Sequence, residues 1–155
     1  MTDRPSDGLF ERVLVPVASE RDANRARETI VPYVGAAGGV VVLVHVVELN
    51  PGGIDPSPAA VQREEAERFF ALATPEGDDV VVDTRTAYGA DVVDALVETV
   101  RETDATAVVL APVERGRLIR LLTGETTRPL MARAPVPVVA LPERASDEEP
   151  ADQGE

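Results

Sequence analysis

Two short, almost continuous apolar runs constrain the fold of this 155-residue chain more than any other feature. The first follows Arg12 and reads V-L-V-P-V-A, and the second covers residues 40–47 and consists mainly of valine. Strands that are buried on both faces have this composition, because helices cover a parallel sheet on each side. Pro16 lacks a backbone donor, so we expect it at the end of the first strand or at an irregularity.

The segments between the strand candidates have the spacing of amphipathic helices. Within 91–103, Val93, Leu96, Val97 and Val100 recur at i, i+3, i+4 and i+7. Other helices are predicted from residue 19, from residue 59 and over 124–134, and other strands over 80–86, 105–111 and 136–141. Strands that alternate with helices predict a single-domain, doubly wound α/β fold, with a parallel sheet and helices on both faces.

Two of these helices carry more specific expectations. The first has Ala23, Ala26, Ile30 and Val34 at helical spacing, and Pro32 should bend or break it. In the helix that begins near residue 59, a set of apolar residues should face the core, namely Val61, Phe69, Phe70 and Ala73. Its glutamates should face water.

The charge of the chain excludes some classes of partner. It carries 28 acidic and 15 basic residues, a net charge of −13, and every basic residue is arginine. Such a surface repels nucleic acid and anionic lipid. The acid excess favours adaptation to high salt, where screening weakens self-repulsion. A GC-rich genome would explain the missing lysine, but not the excess of acids.

Other sequence features limit the chemistry and the location. The chain has no cysteine and one histidine, which excludes disulfides, thiol catalysis and a His-rich metal site, and we predict no metal. It has no apolar run of 18 residues and a polar N-terminus, so we expect a cytoplasmic protein. We expect residues 1–9 to be flexible and 143–155 to form a disordered acidic tail around a domain of residues 10–142.

The loop after the fourth strand is the strongest functional candidate. It runs from Ala111 through E-R-G-R (114–117) to a predicted helix start near Gly124. In an open α/β sheet, ligands bind outside the carboxyl ends of the strands. Gly116 between Arg115 and Arg117 would suit an anion-binding nest. The alternative is that these arginines are solvated and paired with nearby acids.

Several short motifs, taken in order, resemble the universal stress protein family. They are V-L-V-P-V, V-L-V-H-V-V-E, A-Y-G-A, A-T-A-V-V-L-A, R-L-I-R-L-L-T-G and the closing A-P-V-P-V-V-A-L-P, which is the most specific. The resemblance covers about residues 10–142. It implies a five-stranded parallel sheet in the order 3-2-1-4-5, with ATP in the crevice between strands one and four in many members, and dimers formed through the last strand.

The family's phosphate-binding pattern is altered in this chain. It is similar to G, two residues, G, nine residues, G, then Ser or Thr, and it falls here on Ala111, Glu114, Gly124 and Glu125. The family's acidic residue after the first strand falls on Ala18. Lost glycines hinder close backbone approach, and added carboxylates repel a triphosphate. We therefore expect a weakened nucleotide site that suits AMP or a small anion better than ATP with magnesium.

The candidate ligand-binding residues lie at the ends of three strands and in the loop. They are Val17, Ala18, Ser19, Val46, Ala111, Val113, Arg115, Gly116, Arg117, Gly124, Glu125, Thr126 and Thr127. Ser19 also suits a helix N-cap, and no G-x-S-x-G motif surrounds it as a nucleophile would require. His45 is expected to be satisfied by backbone or water rather than to act as a base.

The leading hypothesis is a non-enzymatic binding or regulatory module of the stress response. We expect a homodimer formed through the apolar edge strand at Val136–Leu141, although prolines there would also protect an unpaired edge. The first alternative is an ATP-binding protein with slow ATPase activity. The second is a dimeric scaffold that binds no ligand.

Overall fold

The computed structural model describes residues 8–49, 59–77, 80–111 and 127–141. The expected flexible N-terminus, the acidic tail and most of the loop after the fourth strand lie outside these residues. The described residues form a five-stranded parallel sheet in the order β3-β2-β1-β4-β5, which confirms the expected fold class and strand order. The strands are β1 (Arg12–Pro16), β2 (Val40–Glu48), β3 (Val81–Gly89), β4 (Ala107–Leu110) and β5 (Val138–Ala140).

β1 lies at the centre of the sheet. Val13 of β1 pairs with Val41 of β2 on one side and with Ala107 of β4 on the other. β1 ends at Pro16, as expected for a residue without a backbone donor. From β1, the sheet extends through β2 to β3 on one side and through β4 to β5 on the other. The strand order therefore reverses its direction between β1 and β4. This change creates a crevice at the carboxyl ends of these two strands.

Alternate residues of the central strands enter two separate cores. Val13 and Val15 face one core, together with the helices α1 (Glu20–Arg25), α2 (Val31–Ala36) and α3 (Ala59–Ala73). Leu14 and Val42 face the other core, together with α4 (Val92–Thr103) and α5 (Thr127–Arg133). The period of two along a strand therefore explains the continuous apolar runs, since both faces are buried.

The first helix does not end at Pro32. It continues from Glu20 to Ala36 through a π-helical segment, Ala26–Ile30, which comes just before the proline. The Val31 N–H bonds to the carbonyl of Ala26, five residues earlier. A π-helical turn rearranges the backbone hydrogen bonds where proline, which has no N–H, would interrupt an α-helix.

The remaining differences from the sequence expectations concern element ends and one side chain. Val61 was expected to face the core, but it is 42% exposed, whereas Phe69, Phe70 and Ala73 are buried as predicted. β3 was predicted to end at residue 86, but it extends to Gly89, because β2 pairs with it as far as Glu48. β5 is an edge strand, as expected, but it is only three residues long.

Pro137 does not protect the outer edge of β5. The Pro137 carbonyl accepts a hydrogen bond from the Val108 N–H at 2.9 Å, and the Leu141 N–H donates to the Leu110 carbonyl at 2.8 Å. Residues 137, 139 and 141 therefore turn their backbone groups towards β4, and Val138 and Ala140 turn theirs outwards. An N–H at position 137 would face β4. Pro137 therefore removes no donor from the outer edge, and the interpretation of this proline as protection for an unpaired edge was wrong.

The turn before β2 requires glycine at two positions, for different reasons. Gly38 has a φ of +75° and open space around it, whereas a Cβ at Gly39 would lie 1.8 Å from the carbonyl oxygen of Phe10. We expect Gly38→Ala to lower the free energy of unfolding by about 1 kcal/mol through left-handed strain. Gly39→Ala should cost about 3 kcal/mol, because the backbone must move to remove the clash.

Chemical denaturation of the two variants against the parent chain checks this order. An equal loss in both, or a larger loss in Gly38→Ala, would contradict the close approach of Gly39 to Phe10.

Candidate functional site

The carboxyl end of β1 leads into a turn in which Val17 is held by the sheet. The Val17 N–H donates to the Val44 carbonyl at 2.8 Å. The Val17 carbonyl lies 2.9 Å from Nδ1 of His45, and because a carbonyl only accepts, Nδ1 must carry the proton. Val17 is buried, and its predicted role in ligand binding stays a prediction.

His45 has a structural role at the end of β2. Its ring is buried and contacts the Phe69 ring edge-on, with 5.6 Å between the ring centroids. The bond to the Val17 carbonyl confirms the expectation of a strand-end histidine satisfied by backbone. It joins the ends of β1 and β2 and so fixes where the following turn begins.

Ala18 and Ser19 are organised by a residue that the sequence interpretation missed. The carboxylate of Asp22 accepts the Ala18 N–H at 2.8 Å, and the Ser19 hydroxyl accepts the Asp22 N–H at 3.0 Å. Ser19 is thus the N-cap of α1, which confirms the structural interpretation of its hydroxyl. The S-x-x-D spacing resembles a capping box, and this signal would have identified Asp22.

Asp22 is half-buried, and its environment alters its acidity. Burial raises the pKa of the Asp22 carboxyl above its ordinary value. The hydrogen bonds from Ala18 and Ser19, and the charges of Arg21 and His45, oppose this rise without cancelling it. The site therefore contains a carboxylate that water solvates incompletely.

Two other candidate residues that the structure describes lie towards the same edge of the sheet. Val46 of β2 is half-buried, packs against the α4-side core and pairs with Ala87. Ala111 is half-buried directly after β4. The remaining candidates before α5 lie outside the described residues: Val113, Arg115, Gly116, Arg117, Gly124, Glu125 and Thr126.

Thr127 begins α5 and contributes an unsatisfied polar atom. Its Oγ1 is buried and makes no hydrogen bond to any residue that the structure describes. Such a group costs about 1–3 kcal/mol when it stays unpaired. Thr127 was predicted as a source of the hydroxyl for an anionic ligand, and an oxygen atom of a ligand would supply the missing partner.

The described residues contain neither a cluster suited to a metal ion nor a helix suited to a membrane. Within residues 8–49, 59–77, 80–111 and 127–141, no group of three or more His, Cys, Asp or Glu side chains is arranged to hold a metal ion. Among the helices in the same part of the chain, none combines the length and apolar character needed to cross a membrane.

An open groove of about 450 Å³ lies between α4 and α5, lined by Asp94, Val97, Glu98, Arg101 and Arg133. Arg133 forms ion pairs with Asp94 and with Asp91, the latter at 3.7 Å. All three side chains are about half-exposed. Exposed pairs of this kind contribute little energy, and we assign the groove no function.

Comparison with known proteins identifies the family of this fold and crevice. The family model described as the universal stress protein family matches residues 9–142. This chain belongs to the universal stress protein family. The match covers the whole sheet and the crevice at the ends of β1 and β4. No curated protein matches the chain.

Solved structures of family members share the fold at low sequence identity. A universal stress protein from Archaeoglobus fulgidus is 22% identical, with 84% of this chain and 97% of that chain covered and a TM-score of 0.62. An Archaeoglobus fulgidus universal stress protein in complex with dAMP is 19% identical, with 86% and 99% covered and a TM-score of 0.63. A family member from Burkholderia pseudomallei is 24% identical, with 85% and 96% covered and a TM-score of 0.64.

The raised pKa of Asp22 predicts a particular dependence of stability on pH. Because its pKa is higher in the folded than in the unfolded chain, the folded chain binds more protons between the two values. The contribution of Asp22 to the free energy of unfolding is therefore largest below its pKa in the unfolded chain. It declines as the pH rises through its pKa in the folded chain. Relative to Asp22→Asn, the parent chain should gain stability as the pH is lowered from 7 to 4.

Denaturant unfolding of both proteins across this pH range measures the difference. Glu28→Gln, which removes an exposed carboxylate from the π-helical segment that continues α1, is the control for lost negative charge. A difference between parent and Asp22→Asn that is constant with pH, or that grows as the pH rises, would contradict the raised pKa.

Proposed function

We propose that this chain is a non-enzymatic binding module of the stress response that holds a small adenine nucleotide or another small anion in the crevice beyond β1 and β4. AMP should bind more tightly than ATP with magnesium. The proposal includes a cytoplasmic location and adaptation to high salt, both based on the sequence. A universal stress protein solved with dAMP and another solved with cAMP, similar to this chain at TM-scores of 0.63 and 0.51, support the class of ligand.

The hydroxyl of Thr127, which has no hydrogen-bond partner among the described residues, carries the structural argument. It lies at the start of α5, two positions after Glu125, where the family pattern has its hydroxyl residue. A phosphate oxygen would remove the cost of leaving this buried group unpaired. This hydroxyl supports an anionic ligand near the start of α5.

The preference for AMP follows from charge. The family pattern places Glu114 and Glu125 where other members have glycine and a hydroxyl residue. Each carboxylate adds repulsion that grows with the number of phosphate charges nearby. A monophosphate carries fewer charges than a triphosphate, so it should lose less affinity.

The homodimer remains part of the proposal and is supported by the geometry of β5. Val138 and Ala140 direct their N–H and C=O groups away from β4, so both donors on the outer edge are present. An exposed edge of this kind is a template for pairing with another strand. Two copies of β5 would satisfy each other's backbone groups across a twofold axis.

Calorimetric titration in molar salt tests the ligand proposal. AMP and ATP with magnesium are titrated separately into the parent chain, and the dissociation constants are compared. We expect AMP to bind more tightly, and AMP at 100 times its dissociation constant to add about 2.7 kcal/mol to the free energy of unfolding. Tighter binding of ATP, or release of phosphate from it, would support the slow ATPase alternative instead.

The double variant Glu114→Gly, Glu125→Ser provides the matched control. It should strengthen ATP binding more than AMP binding, because it removes charge from the loop that the family uses for phosphates. No gain for ATP would mean that these residues do not lie beside the phosphates. Failure of both nucleotides to bind the parent, with the dimer intact, would favour a ligand-free scaffold.

The dimer proposal is tested by removing one outward donor. Ala140 is exposed and its N–H points away from β4, so Ala140→Pro should abolish strand pairing with little effect on the fold. Light scattering on a sizing column should give twice the chain mass for the parent and one chain mass for Ala140→Pro. Ala140→Ser keeps the N–H and should remain dimeric, and a monomeric parent would refute the proposal.

A further inference from the structure

β3 gives the described sheet a long outer edge that no described strand covers. It is the outermost strand on its side and has nine residues, whereas β5 at the other edge has three. The Leu49 N–H donates to the Gly89 carbonyl at 2.9 Å, so the odd-numbered residues of β3 turn their backbone groups towards β2. The even-numbered residues turn theirs outwards, namely Val82, Thr84, Thr86 and Tyr88.

The sequence of β3 leaves this outer edge competent for pairing. Residues 81–88 contain neither proline nor glycine, so every outward residue keeps its N–H. Valine, threonine and tyrosine occupy the four outward positions, and all three favour strands. An edge with a full row of free donors and acceptors is a template for another strand.

Two large apolar side chains of β3 are open to solvent, one on each face. Ala87 packs against the α4-side core and Val82 against the opposite core, so odd-numbered and even-numbered residues face opposite sides. Val81 is 59% exposed on the α4 side, and Tyr88 is 44% exposed on the other. A neighbouring strand would bring a cross-strand partner to both side chains.

Two opposite charges lie between these apolar residues. Asp83 and Arg85 flank Thr84 on the α4 side, and both side chains are about half-exposed. Asp83 is paired with Arg12 at 3.5 Å and Arg85 with Glu102 at 3.4 Å. Exposed pairs of this kind contribute little energy, so they leave both charges able to meet an adjacent strand. Charges at an edge also limit which strand can pair there, because like charges placed opposite each other are destabilising.

The order of residues in β3 is complementary to itself. When two copies run antiparallel with Thr84 opposite Thr84, Asp83 of each copy lies opposite Arg85 of the other. An axis through either charged residue would instead oppose two like charges, so the charges select one register. The other opposite pairs in this register join apolar or β-branched residues: Val81 with Ala87, Val82 with Thr86, and Val80 with Tyr88.

We propose that β3 is a self-association edge, at which two copies of this chain pair antiparallel about a twofold axis through Thr84. The pairing is independent of the ligand and of β5, which lies at the opposite edge of the sheet. Each copy carries a net charge of −13, so the copies repel each other in dilute salt. The screening length falls from about 10 Å at 0.1 M salt to about 3 Å at 1 M. High salt therefore allows the β3 edges to meet, and pairing through both edges extends the assembly beyond a dimer.

Light scattering at a fixed chain concentration tests this edge in a chain that cannot pair through β5. Ala140→Pro should give one chain mass in dilute salt and two in molar salt, and the parent should change from two chain masses to four or more. Adding Thr84→Pro removes the N–H at the centre of the pairing, whereas adding Thr84→Ser keeps it. Only the proline variant should stay at one chain mass in molar salt, and circular dichroism checks that it is folded.

Charge reversal tests the register without a proline on β3. In the Ala140→Pro background, Asp83→Arg leaves two positive charges on the strand, and Arg85→Asp leaves two negative charges. Each variant alone should self-associate about tenfold more weakly or worse, because like charges then lie opposite each other twice. An equimolar mixture should recover the association of the background chain. Glu28→Arg makes the same change of charge on the π-helical segment and should not weaken association.

The outcomes separate this edge from the proposals on the ligand and on β5. A parent that is monomeric in dilute salt refutes the β5 dimer, and a doubling of its mass in molar salt would still support β3. If Ala140→Pro stays at one chain mass in molar salt, pairing through β3 is overturned, and the edge is either protected by its charges or used by a different strand. A doubling that persists with Thr84→Pro overturns the edge, and a mixture that fails to recover association overturns the register.

Discussion

The structure depends on the burial of β1 from four directions. Val13, Leu14 and Val15 are almost inaccessible to solvent, with side chains alternating between the two cores. The backbone of this strand is paired with β2 on one side and β4 on the other. A buried backbone needs a partner for every polar group, and only a central strand can meet this need while both faces are apolar.

The pairing of β1 with its neighbouring strands ends beyond Val17. The hydrogen bonds made there determine which polar groups remain available in the crevice. Val17 still uses its N–H and its carbonyl within the sheet and to His45. From Ala18 onward the backbone has no neighbouring strand, and the Asp22 carboxylate takes the place of one by accepting the Ala18 N–H. The chain thus satisfies its own donors at this turn with an acid. A site built in this way differs physically from a glycine-rich loop, which leaves its N–H groups free for a phosphate.

Much of the fold could be predicted because its main signals are local and repetitive. Valine-rich runs mark strands with two buried faces, and the i, i+3, i+4, i+7 spacing of α4 marks a helix with one buried face. The strand order came from the resemblance to the family rather than from these patterns. Val61 was misplaced because it lies in the first turn of α3, and helical spacing does not say where along a helix the buried face begins. The π-helical segment was missed because it depends on how hydrogen bonds are shared before Pro32, which periodicity does not encode.

The candidate site was harder to predict, because its chemistry depends on contacts between residues that have ordinary sequence contexts. In the sequence, nothing distinguishes Asp22 from the other acidic residues of a chain that has 28 of them. It differs from the other acidic residues that the structure describes: it is half-buried, lies four residues after the N–H that it binds, and is close to the histidine of β2. In a strongly acidic protein, exposed carboxylates are screened by salt and interact weakly at a distance. Buried or partly buried ones are screened less, so Asp22 would interact more strongly with its neighbours in high salt than the surface acids do.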